Sequence, residues 1–194
     1  MLEKEDISKV SRSKRFEIRI AGFGGQGVVT IGRILGEAFA IYEGKNSTNS
    51  QSYGPESRGG ACKSEVVVSD GEIYYPNVRR PDVLIALSQK ALDTYLPDLK
   101  EGGLLLIDPT SVKDIPFPDK YRIHKIAAME IAHRMGSVKY QNSVALGALH
   151  PLIGDILEES SLRKAIADSV PVETVAVNMQ AFDKGLDSAQ RKSG

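Results

Sequence analysis

Two stretches of this 194-residue chain combine residue types and spacing suited to holding an anion. In the first, Ile18-Arg19-Ile20-Ala21 runs into Gly22-Phe23-Gly24-Gly25-Gln26-Gly27 and then Val28-Val29. Gly22, Gly24 and Gly27 have the G-x-G-x-x-G spacing after an apolar run, a pattern that sets backbone amides and a helix N-terminus against a phosphate. Gln26 adds a side-chain amide that can donate at the mouth of such a site. The second stretch is Ser50-Gln51-Ser52-Tyr53-Gly54-Pro55-Glu56-Ser57-Arg58-Gly59-Gly60. Its Arg58 has small neighbours and a guanidinium fork that suits phosphate or carboxylate. Gly54-Pro55 and Gly59-Gly60 punctuate a loop. With Ser52, Tyr53 and Glu56 beside them, these residues fit a ligand mouth or a partner interface better than a plain surface loop.

Other chemistries are poorly supported. Residues 45–51 read Lys-Asn-Ser-Thr-Asn-Ser-Gln, so no acidic residue ends a second strand to hold the ribose of NAD. Lys45 alone is weak support for NADP. No Gly-Lys-Ser/Thr follows the glycines, which removes a P-loop. A phosphate-bearing ligand other than NAD is expected. His124, His133 and His150 lie on separate predicted elements without metal-ligand spacing. Cys62 is the single cysteine, so the chain alone forms no disulfide, iron–sulfur cluster or structural zinc site. Packing is the expected role for that thiol. Asp108, at the end of an apolar strand, is a minor candidate at the edge where α/β folds bind ligands. No Ser/His/Asp set or carboxylate pair assembles, so no catalytic residue is expected in this chain.

The elements that must position these residues follow from hydrophobic periodicity. Phe16–Ala21 is a β-rich run, and Gly27–Tyr42 shows helical spacing through Val28, Ile31, Leu35, Phe39 and Tyr42, with Gly44 at its end. Gly32 and Gly36 on this helix are expected to allow close packing on a sheet. Lys45–Gln51 is wholly polar and, if extended, is not a core strand. Asp70-Gly71 between Glu65–Ser69 and Glu72–Tyr75 predicts a two-residue hairpin. Val83–Leu87 and Leu104–Ile107 are unbroken apolar strands, as a parallel sheet covered on both faces requires. Ser88 is placed to cap the helix running to Leu96. Tyr121–Lys125 is a further strand, followed by helices at Ala127–Met135, Asn142–Ile156 (interrupted or kinked at Pro151), Ser161–Asp168 and Glu173–Lys184. The expected fold is a three-layer α/β/α Rossmann-like domain with a mostly parallel sheet, an antiparallel hairpin and a helical C-terminal third. Residues 1–15 are expected to be a loose arm and 16–194 a single domain.

Hydrophobic residues make up 41% and charged residues 26% of the chain, with 25 basic and 25 acidic side chains. Zero net charge argues against a nucleic-acid or anionic-membrane binder working by bulk electrostatics. It also favours association with other chains. No apolar run approaches a membrane span, and the charged N-terminal segment does not read as a signal peptide. A cytoplasmic location is expected.

Gly22–Gly27, Ser52-Tyr53-Gly54-Pro55-Glu56 with Arg58-Gly59-Gly60, Pro81-Asp82-Val83, and Asn142-Ser143-Val144-Ala145-Leu146-Gly147-Ala148-Leu149 occur in that order. Together they resemble the gamma subunit of the 2-oxoacid:ferredoxin oxidoreductases, most closely the 2-oxoglutarate or 2-ketoisovalerate type, over residues 16–185. The resemblance implies oxidative decarboxylation of 2-oxoglutarate or a related 2-oxoacid to acyl-CoA, with ferredoxin as electron acceptor. It implies coenzyme A at this chain's glycine turn, lined by Gly22, Gly24, Gly25, Gln26 and Gly27, with Arg58 offering charge to a phosphate. Thiamine diphosphate, Mg and iron–sulfur clusters would lie on alpha, beta and, where present, ferredoxin-like delta subunits. Ser52, Tyr53, Gly54, Pro55, Glu56, Gly59 and Gly60 would shape the loop toward a partner. Relatives commonly carry methionine or another apolar residue where Ser143 stands. The alternatives are an indolepyruvate ferredoxin oxidoreductase beta-type subunit and a stand-alone nucleotide-binding module.

Overall fold

Alternation along Arg15–Gly22 (β1) sets the frame: Ile18 and Ile20 face one side of a sheet and Glu17, Arg19 and Ala21 the other. The structure is a computed structural model whose described residues are 15–52 and 62–190. The further strands are β2 Asn46–Ser52, β3 Cys62–Ser69, β4 Val83–Ala86, β5 Leu104–Ile107 and β6 Arg122–Lys125. They form one six-stranded sheet in the order β2-β3-β1-β4-β5-β6. β1, β4, β5 and β6 are parallel, β3 is antiparallel to β1, and β2 is antiparallel to β3. β4 and β5 are buried at every position, which explains why their sequences are continuously apolar rather than alternating.

Helices cover both faces unequally. The helices are α1 Val28–Glu37 (extended by a π-helical turn, Ala38–Tyr42), α2 Gln89–Tyr95, α3 Ala128–Arg134, α4 Gln141–Ile153, α5 Glu159–Ser169 and α6 Val175–Gln190. Five of them pack on the face that carries Ile18, Ile20, Val66, Ile85 and Leu106. Among the described residues α2, the turn after it and Val112 cover Leu84, Ala86, Leu105 and Ile107 on the opposite face. Ser88 caps α2 as expected, its Oγ accepting the Ala91 N–H at 3.2 Å.

Beside β1 and β3 this second face is charged rather than apolar. Arg19 is 3% exposed. Its Nε donates to Glu65 at 2.7 Å, its Nη2 donates to the Val78 carbonyl at 3.0 Å, and its Nη1 pairs with Asp98. Lys63 donates to the same Glu65 carboxylate at 2.8 Å. A buried guanidinium with so many acceptors is fully compensated, and removing one acceptor would leave charge unpaired. Glu17 accepts the Arg79 and Arg80 amides at 3.1 Å, which ties the segment after β3 back to β1.

The structure departs from the sequence expectations at three places. No hairpin forms around Asp70-Gly71: residues 72–75 are not a strand, and the antiparallel pair is made by β2 and β3. The polar Asn46–Ser52 run is extended because it lies at the sheet edge, where only one side must pair. Pro151 does not interrupt α4, which continues to Ile153; the proline falls in the last turn, where one missing backbone bond matters least. Arg15, expected in the loose arm, opens β1 and donates to Glu17, the Tyr75 carbonyl and the Asn77 carbonyl.

α4 is apolar nearly all round because it is buried nearly all round. It lies against α6 through two glycines. A Cβ on Gly147 would stand 2.0 Å from the Phe182 carbonyl oxygen, and one on Gly185 2.0 Å from the Val144 carbonyl oxygen. Beside this contact the buried Ser143 hydroxyl donates to Asn178 Oδ1 at 2.7 Å. Among the described residues no helix is long and apolar enough to cross a membrane. Gly147→Ala and Gly185→Ala are each predicted to destabilise the protein by about 2–3 kcal/mol or more, because backbone carbonyls cannot move aside as side chains do. A thermal unfolding scan would show each variant melting roughly 5–10 °C below wild type.

Candidate functional site

Strand order places the site. From β1 the chain goes outward to β2 and β3 on one side, then returns to build β4, β5 and β6 on the other. The β1/β4 boundary is therefore the topological switch point, whose carboxyl-terminal crevice is the usual ligand position in open α/β sheets. The glycine turn follows β1 at this crevice. Gly22 is opposite Cys62, and Ser52 is opposite Lys63. The two stems of the polar loop thus emerge beside the glycine turn, at one end of the sheet.

The glycines divide into two groups. A Cβ on Gly22 would meet Gln26 Oε1 at 2.7 Å and Leu87 Cβ at 3.0 Å, and a Cβ on Gly27 would meet the Asn142 carboxamide at 2.2 Å. Both positions serve close packing, and Gly27 also has φ 79°. At Gly24 and Gly25 an added Cβ would find no atom within 4 Å. Those two residues are exposed and face open space. Gly25, with φ 88°, turns the chain in a conformation that side chains rarely adopt.

The start of α1 is left free for an acceptor from outside. Its N-cap, Gly27, supplies no side-chain bond, and its first turn holds no acidic residue. Among the described residues the amides of Gly24, Gly25 and Gly27 have no protein acceptor. An uncapped helix start next to free loop amides is a positive, donor-rich surface matched to phosphate.

Gln26 has a different role from the one expected. Its Oε1 accepts the Phe23 N–H at 2.6 Å and its Nε2 donates to the Leu87 carbonyl at 2.8 Å. It clamps the end of β1 to the end of β4, which commits its oxygen and one of its two amide hydrogens within the protein. Gln141 Nε2 donates to the Gln26 carbonyl at 3.2 Å, so the start of α4 holds the turn from behind. Asn142 belongs to the 142–149 motif and is not among the site residues expected from the sequence. Its contact with Gly27 was invisible because it joins residues more than a hundred positions apart.

Asp108 is 5% exposed and fully used. Its carboxylate accepts from the Thr110 N–H and hydroxyl and from the Met129 N–H, bracing the end of β5 against α3. Cys62 is buried, as expected of a packing residue, and burial pushes its thiol above the ordinary range. His124, His133 and His150 stay on separate elements. Among the described residues no three His, Cys, Asp or Glu side chains converge. Ser52 is exposed at the end of β2. Tyr53, Gly54, Pro55, Glu56, Arg58, Gly59 and Gly60 lie outside the described residues.

Comparison with known proteins agrees with this geometry. Residues 17–188 match the family model "Pyruvate ferredoxin/flavodoxin oxidoreductase". The 2-oxoglutarate synthase subunit KorC of Methanocaldococcus jannaschii is 47% identical over 178 residues, covering 91% of this chain and 95% of that one. The indolepyruvate oxidoreductase subunit IorB of Thermococcus kodakarensis is 28% identical over 205 residues, covering 93% and 99%. The keto/oxoacid ferredoxin oxidoreductase gamma subunit of Geobacter sulfurreducens has a solved structure that superposes with a TM-score of 0.80 at 42% identity, over 91% of this chain and 99% of that one. A 2-oxoglutarate:ferredoxin oxidoreductase from Magnetococcus marinus, with 2-oxoglutarate, coenzyme A and succinyl-CoA bound, also gives 0.80 at 28% identity. It matches 92% of this chain and 31% of its own.

Two measurements test the local geometry. Gly27→Ala is predicted to cost about 2 kcal/mol or more, from positive-φ strain and the clash with Asn142, whereas Gly24→Ala leaves the melting temperature unchanged. Cys62 has a folded pKa raised above its unfolded value. Its contribution to stability is therefore constant below the unfolded thiol pKa, about 8.5, and is lost above it, where the unfolded chain alone ionises. Cys62→Ala should flatten the corresponding part of the alkaline stability profile.

Proposed function

The chain belongs to the pyruvate ferredoxin/flavodoxin oxidoreductase family, and from that membership we propose that its glycine turn holds the diphosphate of coenzyme A. The chain is a gamma-type subunit of a multisubunit 2-oxoacid:ferredoxin oxidoreductase. The 2-oxoglutarate type fits better than the indolepyruvate type, since identity to the former subunit is far higher. A stand-alone NAD module is disfavoured: β2 is an uncharged edge strand, and no carboxylate ends it to hold a ribose.

The observation that carries the coenzyme A reading is the uncapped start of α1 beside the exposed, unobstructed Gly24 and Gly25. Loop and helix amides there are donors aimed at open space, as a diphosphate needs. Coenzyme A supplies the thiol that accepts the acyl group. This chain's contribution is to bind and orient: Gly24, Gly25 and the first turn of α1 contact the diphosphate, and Gln26, Leu87 and Asn142 keep the turn rigid. Arg58 adds a charge-assisted contact to a phosphate, and Ser52 and the residues up to Gly60 face a partner subunit. Decarboxylation and electron transfer belong to thiamine diphosphate, Mg and iron–sulfur clusters on alpha, beta and delta-type chains, in a cytoplasmic enzyme that reduces ferredoxin.

The test uses the assembled enzyme. Gly24→Val is expected to raise the KM for coenzyme A about tenfold or more, as would follow from losing roughly 1.4 kcal/mol of binding. Decarboxylation without coenzyme A and the melting temperature should stay at wild-type values. Arg58→Ala should raise the same KM while leaving decarboxylation intact. An unchanged coenzyme A dependence in both variants would remove the turn and the loop from the coenzyme site.

A further inference from the structure

The sheet has two outer strands, and they are protected differently. β6 carries Arg122 and Lys125 exposed at its ends, and edge charges of this kind block pairing with another strand. β2 has no such guard. Its seven residues, Asn-Ser-Thr-Asn-Ser-Gln-Ser, include no charge and no proline. Its register with β3 is unbroken from Asn46↔Ser69 to Ser52↔Lys63, so no bulge twists it away. Among the described residues no strand pairs with its outer side. A seven-residue uncharged edge with no described strand on its outer side is a template for another strand.

We infer that the outer edge of β2 pairs antiparallel with the same edge of a second copy of this chain, about a two-fold axis near Asn49. Three features select a second copy. First, the strand is neutral, so pairing with itself brings no like charges together, and the whole chain has no net charge to oppose it. Second, near-palindromic order sets Asn46 opposite Ser52, Ser47 opposite Gln51, Thr48 opposite Ser50 and Asn49 opposite its own copy when Asn49 lies on the axis, so every facing pair is uncharged and polar. Third, the helices fit. α1 straddles the β2–β3 boundary: a Cβ on Gly32 would touch Ser64 of β3 and Asn49 of β2, and one on Gly36 would lie 3.2 Å from Asn49 Cβ. With strands about 4.8 Å apart, the two α1 axes would be separated by about 10 Å, within ordinary helix-packing range.

The surface flanking that edge is self-complementary. A groove of about 280 Å3 runs between α1 and β2, lined by Arg33, Glu37, Ala40, Ile41, Ser47 and Asn49 among others. Ile41 is 67% exposed at its end. Arg33 and Glu37 form an i,i+4 pair at 3.2 Å. An antiparallel two-fold brings each Arg33 toward the partner copy's acidic residue and covers both isoleucines. The inference is independent of what the glycine turn binds, because its test reads the mass of the chain and amide exchange in β2, neither of which involves coenzyme A.

Light scattering on the purified full chain tests it. Wild type at tens of micromolar should have twice the mass of one chain. Thr48→Lys with Ser50→Lys sets lysines opposite lysines across the axis on one face, where like charges oppose pairing. That variant should be a monomer with a wild-type melting profile. The matching Thr48→Glu, Ser50→Glu variant should also be a monomer, and a one-to-one mixture of the two should recover the dimer. Amide exchange in β2 of wild type should slow with rising protein concentration, which needs no variant to fold. A wild-type monomer, a lysine variant that stays dimeric, no recovery on mixing, or exchange in β2 independent of concentration would each overturn the inference. β2 amides protected in a monomer would assign the edge to another segment of the same chain.

Discussion

Everything at the carboxyl end of the sheet depends on one clamp, the Gln26 carboxamide held between the Phe23 N–H and the Leu87 carbonyl. β1 and β4 are the neighbours between which the sheet reverses its winding, so their ends diverge into a crevice. A turn in that crevice has no strand partner to fix it. Gln26 supplies the missing link, and the spacing of the glycines follows from it. Gly22 must lack a side chain because Gln26 folds back over it, and Gly27 because Asn142 closes from the other side. Once those two are packed, Gly24 and Gly25 are pushed outward with amides unpaired. The proposed anion site is thus a by-product of how the turn is held.

The same logic accounts for the helical third of the chain. α4 starts against the glycine turn and crosses α6 at its middle, where Gly147 and Gly185 meet, so its position is transmitted to the turn through a rigid rod. The Gly147/Gly185 contact and the Ser143–Asn178 hydrogen bond set how near α4 and α6 can lie. A methionine at position 143 would exchange that hydrogen bond for apolar contact without changing the role of the helix. A turn held by distant packing loses less freedom on binding than one ordered by its ligand, which favours affinity.

Much of the architecture was legible in local pattern. Unbroken apolar tetrads gave the parallel strands β4 and β5, 3.6-residue spacing gave α1, and Ser88 marked the start of α2. Gly32 and Gly36 were correctly read as close packing. Failures came where long-range pairing overrode a local signal. Asp70-Gly71 is a good hairpin sequence, but β3 pairs instead with β1 and β2 on both sides, leaving residues 72–75 irregular, with the Tyr75 carbonyl held by Arg15. The clamp made by Gln26 is not legible in the sequence, because nothing local shows that the Leu87 carbonyl accepts from it. Which glycines stand in open space is likewise not legible in the sequence, since it depends on Asn142 and Leu87 rather than on spacing.

Amide hydrogen exchange on the assembled oxidoreductase, with and without coenzyme A, tests the central claim most directly. The account predicts that exchange at the amides of Gly24, Gly25, Gly27 and the first turn of α1 slows when coenzyme A binds, while the amides of β5 and α6 are unaffected. Saturating coenzyme A that leaves exchange in the glycine turn unchanged would contradict it.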